Sequence, residues 1–309
     1  MRFGILGLGR IAKQVLVPAI TLEDHIISVI GSSRRDSPDE FRGQIFTDYV
    51  EAIQSGLCDA VYIALPNHLH YPIAIEAIKA GLPVLCEKPL GIYASQVASL
   101  ESVALSKQVL IQEAFMVAHH PQWHWIRSKI PTDEQVHLSV QFHYNNRDLA
   151  NIRNRADCGG GARLDIGCYA LWVADWLGAR SLKVVQGHQL IENGIDAQSA
   201  GSLVFGENIT LQMDVSMRRS RYQQVIIQTR ESCWVIPRPF NPNSEAVIWE
   251  MDDKGVAREI TFIGEQYRLM VADFCEGIRK GRTTDLGSSK RIAGWSDVMS
   301  DEFERRIQP

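Results

Sequence analysis

From residue 2 onward the chain alternates short, nearly all-apolar runs with longer stretches of helical spacing. Residues 2–6 (RFGIL), 26–30 (IISVI), 59–66 (DAVYIALP), 83–89 (PVLCEKP) and 108–115 (QVLIQEAF) read as strands. Between them Ile11, Val15 and Ala19 fall on one helical stripe, and residues 49–56, 71–80 and 93–107 read as helices, with Gly56 and Gly81 placed to end two of them. Strands without polar alternation, separated by helices, predict a parallel sheet covered on both faces. Past residue 118 the pattern changes. In 136–144 (VHLSVQFHY) Val136, Leu138, Val140, Phe142 and Tyr144 alternate with polar neighbours, and 209–217 (ITLQMDVSM) alternates likewise. YQQVIIQT, EAVIWEM and AREITFI continue the strand pattern, and helices are expected near 163–177 and, as the last element, 267–280. Period-two alternation predicts an antiparallel sheet with one face on a core. The chain therefore divides into an α/β domain, 1–117, and an α+β domain, 118–309.

Composition narrows the function classes. The 309 residues carry a net charge of −4, which gives no basic surface for nucleic acid or an anionic membrane. No apolar run approaches the roughly 20 residues of a membrane helix, and MRFGILGLGRIAK lacks the pattern of a signal peptide. The six cysteines are scattered without a C-x-x-C pair, as expected of reduced thiols in a cytoplasmic protein.

Three motifs carry candidate chemistry. Gly7-x-Gly9-x-x-Ala12 lies between the first strand and the first helix, where Gly7 permits a tight turn, Gly9 lets the backbone approach a pyrophosphate, and Ala12 allows close helix packing. An NAD site commonly places an acid at the tip of the second strand. Here the chain reads Ser32-Ser33-Arg34-Arg35, so Ser33 and Arg34 suit a 2′-phosphate and favour NADP over NAD. The second motif, Glu87-Lys88-Pro89, ends the fourth strand on the side where open α/β sheets bind ligands. Lys88 there fits donation to a substrate oxygen, though a strand-end lysine alone also fits a solvated side chain. In the third, GGGARLDIGCYAL (159–171), Asp165 and Tyr169 share a helical face; by themselves they fit packing as readily as a site.

The order of these motifs resembles the Gfo/Idh/MocA family of NAD(P)-dependent oxidoreductases. The similarity rests on GILGLGRIA, on DAVYIALPNHLHYPIAIEAIKAGLPVLCEKPLG, on QEAFM with HHPQ, on NIRN with GGGARLDIGCYAL, and on YRLMVADFCEGIRKGR, which together span nearly the whole chain. The resemblance implies an N-terminal Rossmann domain for the cofactor and a C-terminal domain with a large, mainly antiparallel sheet for substrate and dimer or larger homo-oligomer contacts. It implies hydride transfer between nicotinamide and a sugar, polyol or cyclic diol. Lys88 then matches the catalytic lysine, Asp165 the substrate-holding aspartate, and Tyr169 the acid/base, where many members carry histidine. Arg10, Ile11, Leu65, Pro66, Asn67, His70 and Glu87 join Gly7, Gly9, Ala12, Ser33, Arg34 and Lys88 as the expected cofactor contacts. His68 with His70, and the group His119, His120 and His124, are read as loop and packing residues, and no metal is expected. The family also contains NADP-binding regulators without activity; retention of both Lys88 and Tyr169 favours an enzyme. The chain departs from its relatives at Ala118, at Arg163 and over 288–303 (SSKRIAGWSDVMSDEF), so no particular substrate follows from the resemblance.

Overall fold

A computed structural model describes residues 1–33, 41–242 and 244–307. Contacts divide the chain into two compact units, Met1–His119 with Gln266–Lys290, and His120–Glu265 with Arg291–Pro309. The first division falls two residues past the expected boundary at 117, and residues 266–290, expected with the second domain, cluster with the first.

The first unit is built on a six-stranded sheet in the order β3-β2-β1-β4-β5-β6. Its strands are β1 (Arg2–Leu6), β2 (Ile26–Gly31), β3 (Gln44–Phe46), β4 (Ala60–Ile63), β5 (Val84–Glu87) and β6 (Ile111–Ala114), and every pairing is parallel. Chain order reverses at β1, which pairs with β2 on one side and β4 on the other; this is the switch point at which open sheets leave a crevice beyond their carboxyl ends. Phe3, Ile5, Tyr62 and Leu85 are fully buried, as strands covered on both faces require. The first helix opens with a π-helical turn, Ala12–Leu16, before α1 (Val17–Leu22). It is followed by α2 (Tyr49–Gln54), capped by Asp48, and by α3 (Asn67–Lys79) and α4 (Ala94–Lys107). Two elements of this sheet layer differ from expectation. Only three residues pair in β3, too few to leave a pattern, and α3 begins four residues before Tyr71, where the expected helix started.

The second unit holds α5 (Pro121–Lys129), α6 (Cys168–Trp176) and a nine-stranded sheet. The sheet runs β14-β13-β12-β11-β7-β10-β9-β8-β15. Its strands are β7 (Val136–Asn145), β8 (Leu182–Glu192), β9 (Ile195–Phe205), β10 (Ile209–Ser216), β11 (Arg218–Gln228), β12 (Cys233–Ile236), β13 (Glu245–Asp252), β14 (Gly255–Ile263) and β15 (Glu304–Ile307). All pairings are antiparallel except β7 with β10 and β8 with β15. In β7, Val136, Leu138, Val140 and Phe142 are buried as the alternation predicts, and His143 is buried too.

The hairpin β8–β9 was not expected. Its turn is Asn193-Gly194, both at positive φ (51° and 78°), which suits a two-residue hairpin loop. Its strands hide their character because they carry glycines. A Cβ at Gly187 or at Gly201 would lie 2.5 Å from the Phe303 ring, so both positions are kept bare for that aromatic. After β14 come α7 (Gln266–Arg279), expected as the last helix, and α8 (Gly287–Glu302), which was not, before the edge strand β15.

Candidate active site

Gly7 sits at the carboxyl end of β1 with φ +95°, and its N–H donates to Gly31 O at 2.8 Å. A Cβ there would stand 2.4 Å from the Ala64 backbone oxygen, so the fold itself demands glycine. Gly9 differs. It is exposed, and a Cβ on it would meet nothing within 4 Å. The fold does not require glycine at position 9, and the bare backbone there leaves room for a ligand to lie against it. Ala12 is fully buried beneath the turn, while Arg10 is exposed and Ile11 partly so. These residues fit a pyrophosphate at the start of the first helix. Ser33 is exposed beyond β2; Arg34, expected beside it, lies outside the described residues.

At the other side of the switch point, Lys88 follows the last residue of β5 and is partly buried. The segment around it is pinned from three elements. The fully buried Tyr62 of β4 donates its hydroxyl to Glu87 Oε1. On α3, His70 places Nδ1 2.8 Å from Pro89 O and Nε2 2.8 Å from Leu65 O. Glu113 on β6 accepts from the Leu90 amide at 2.8 Å. Burial pushes the Glu113 carboxyl above its ordinary value, against hydrogen bonds from Ser289 and the Leu90 amide and the nearby charge of Lys88. Burial likewise lowers the His70 imidazole, against its two carbonyl partners. Thus Glu87 and His70, expected at the cofactor, are engaged inside the protein, and His70 is only 1% exposed. Leu65 is buried, and Pro66 and Asn67, at the start of α3, stay partly exposed.

In the second unit, a π-helical turn (Arg163–Gly167) leads into α6, and Cys168 to Asp175 are all buried. Asp165 takes the Tyr144 hydroxyl on Oδ2 at 2.5 Å and Arg153 Nε on Oδ1 at 3.0 Å. An acceptor with a guanidinium and a phenol on its two oxygens is held as a carboxylate. Tyr169, 4% exposed, packs its ring against Phe240 (centroids 4.9 Å apart) and Phe142 (5.6 Å). The helix is anchored at its start. Asp196 on β9 accepts the Arg163 N–H at 2.6 Å and the Ser199 hydroxyl at 2.9 Å. Arg163 Nη1 reaches Ser296 of α8, 2.9 Å to its carbonyl and 2.5 Å to its hydroxyl. Two of the three departures from the family, Arg163 and the 288–303 segment, are therefore partners. Gly161, at φ +120°, leaves room for Asp196, whose Oδ1 would lie 2.1 Å from a Cβ there.

His120 caps α5 through its ring, accepting the Gln122 amide at 3.4 Å, and His124 packs edge-on against Trp176. Among the described residues no group of three or more His, Cys, Asp or Glu side chains is placed to hold a metal ion. No helix among them is long and apolar enough to cross a membrane. The anchors Tyr62, Glu113, Tyr144, Arg153 and Asp196 carry no site signature in the sequence. A phenol inside the apolar strand β4 and a carboxylate in the short strand β6 (IQEA) are the available signal for the first two.

A parallel sheet with a bare glycine turn at its switch point and a braced strand-end lysine belongs to a dinucleotide-dependent oxidoreductase. Residues 1–115 match the family described as "Oxidoreductase family, NAD-binding Rossmann fold" (GFO_IDH_MocA). An uncharacterized oxidoreductase of Rhizobium meliloti is 32% identical over 91% of this chain and 90% of its own length. The NADP(+)-dependent D-xylose 1-dehydrogenase 2 of Haloferax volcanii is 28% identical over 95% and 94%. The 3-ketoreductase KijD10 of Actinomadura kijaniata, solved in complex with NADP and TDP-benzene, superposes with a TM-score of 0.91 over 100% of this chain and 99% of its own, at 25% identity. The chain belongs to the Gfo/Idh/MocA family of oxidoreductases.

Proposed function

We propose that the protein is an NADP-dependent oxidoreductase that interconverts a hydroxyl and a carbonyl on a sugar or a related polyol or cyclic diol. The observation that carries this reading is the strand-end Lys88, its flanking residues fixed by Tyr62, His70 and Glu113. The xylose dehydrogenase and ketoreductase relatives support both the cofactor and the sugar class. Ser33, with no acid at the tip of the second strand, supports NADP over NAD.

Gly7, Gly9, Arg10, Ile11 and Ala12 would hold the pyrophosphate, Ser33 and Arg34 the 2′-phosphate, and Leu65, Pro66, Asn67 and Lys88 the nicotinamide side. The cofactor, when bound, supplies the two-electron redox step. In this reading the Lys88 ammonium donates to the substrate oxygen and polarises it. The Tyr169 hydroxyl gives its proton to the oxygen on reduction and its phenolate takes the proton back on oxidation, and the Asp165 carboxylate, oriented by Arg153 and Tyr144, accepts from a neighbouring substrate hydroxyl. The same reading takes the protein as a cytoplasmic homodimer or larger homo-oligomer.

General acid–base assistance contributes about 10²–10⁴-fold to rate. Lys88→Ala is therefore expected to lower kcat on the best substrate of an aldose, polyol and diol panel by that factor, with the dissociation constant for NADP nearly unchanged. Wild-type turnover in that variant would refute the assignment.

A further inference from the structure

We infer that Glu113 is a positioning residue for Lys88: its carboxylate ties down the turn that follows the lysine and supplies a fixed negative charge facing the ammonium. Two observations place it there. The register of β5 and β6 sets Glu113 opposite Cys86 and Ala114 opposite Glu87, so the Glu113 side chain stands on the same sheet face as Cys86, on the strand next to the segment that bears Lys88. Its Oε1 then accepts the Leu90 amide at 2.8 Å, two residues beyond the lysine.

Glu113 is the third of the four residues of β6 (IQEA), and burial raises its affinity for a proton. The Ser289 hydroxyl, the Leu90 amide and the charge of Lys88 act in the opposite direction, toward the ionised form, without cancelling the effect of burial. The other titratable groups around the turn include the Cys86 thiol of β5, raised by burial and by Glu87 and Glu113; Glu87, whose Oε1 is already occupied by the Tyr62 hydroxyl of β4; and His70 on α3, lowered by burial and further by the Lys88 charge. Glu113 is thus the carboxylate that joins the backbone of the turn to the charge of its lysine. Fixing both matters because a misplacement of about 1 Å at a reacting group can cost about 10²-fold in rate. This role rests on the proposed part of Lys88 in the reaction only for its effect on turnover.

The coupling itself is testable without turnover. Competitive labelling of the cofactor-free protein with acetic anhydride, read at Lys88 by mass spectrometry across pH, reports the titration midpoint of that ammonium. Glu113→Gln keeps an oxygen for the Leu90 amide and removes the charge. Loss of a nearby opposite charge is expected to lower the Lys88 midpoint by about 1 unit or more, hence about tenfold faster labelling on the plateau-free part of the curve. In the active enzyme the alkaline limb of the kcat profile is expected to move with it. Glu113→Asp keeps the charge but shortens the reach: the midpoint stays near wild type, while amide exchange over residues 88–91 quickens. An unmoved Lys88 midpoint in Glu113→Gln overturns the electrostatic role, and unchanged exchange in Glu113→Asp overturns the tie to the turn. Full turnover in Lys88→Ala would instead overturn the catalytic reading and leave the labelling result intact.

Discussion

Asp196→Ala removes the anchor of the helix that carries Asp165 and Tyr169. In the folded protein this carboxylate is buried, accepts the Arg163 amide at 2.6 Å and the Ser199 hydroxyl at 2.9 Å, and lies within electrostatic reach of the Arg163 guanidinium. Alanine leaves two buried donors without an acceptor. Each buried donor left unpaired costs about 1–3 kcal/mol, so about 2–6 kcal/mol together. For a unit of this size each kcal/mol lowers the melting midpoint by about 2–4 °C, so the expected fall is about 4–24 °C. Asp196→Asn retains an acceptor oxygen for one donor and is expected to cost less, about 1–3 kcal/mol. Differential scanning calorimetry on both variants separates these cases. A midpoint within 2 °C of wild type for Asp196→Ala would refute the view that this residue holds the helix start, and so would equal losses in the two variants.

Gly7→Ala and Gly9→Ala are expected to fail differently. The first collides with the Ala64 oxygen at a positive φ and should cost folded yield, whereas the second should melt near wild type and bind NADP weakly, which isothermal titration checks. Acid should weaken the second unit through Asp214. Burial raises this carboxyl, but hydrogen bonds from His143 and Arg219 outweigh burial and hold it below its ordinary value. A depressed folded pKa contributes stability that is complete above the unfolded value and is lost as pH falls below about 4. Urea titrations between pH 6 and 3 should show a steeper loss for wild type than for Asp214→Asn; parallel curves would disprove it.

Much of this was legible in the chain because burial writes a simple code. Strands β1, β4 and β5, covered on both faces, had to be apolar runs, and the glycine turn and Lys88 stand at their ends, where ligands bind. Asp165 and Tyr169 were visible as polar residues on an apolar helix. Other elements escaped for physical reasons. Gly187 and Gly201 in β8 and β9 are shaped by Phe303, more than a hundred residues away on β9's side of the sequence, and no local period reports such a constraint. Arg163 was unplaceable because its partners, Asp196 and Ser296, come from a strand and a helix remote in the chain. His70 sat in a motif that suggested the cofactor, yet its nitrogens are spent on two backbone carbonyls, a use that only the folded loops reveal.

The return of residues 266–290 to the first unit bears on how the protein is made. Phe274 of α7 is fully buried and lies 6.4 Å from the ring of Phe3; Thr284 accepts the Ile111 amide at 3.0 Å and donates to Val109 O at 2.9 Å. On the ribosome the nascent nucleotide-binding half therefore emerges long before its last core pieces do. It must wait, incompletely covered, while eight of the nine strands of the second sheet are synthesised. A gene fragment cut near the 117 boundary would express a sheet with one flank stripped, so excising the cofactor unit for engineering requires splicing 266–290 back onto it.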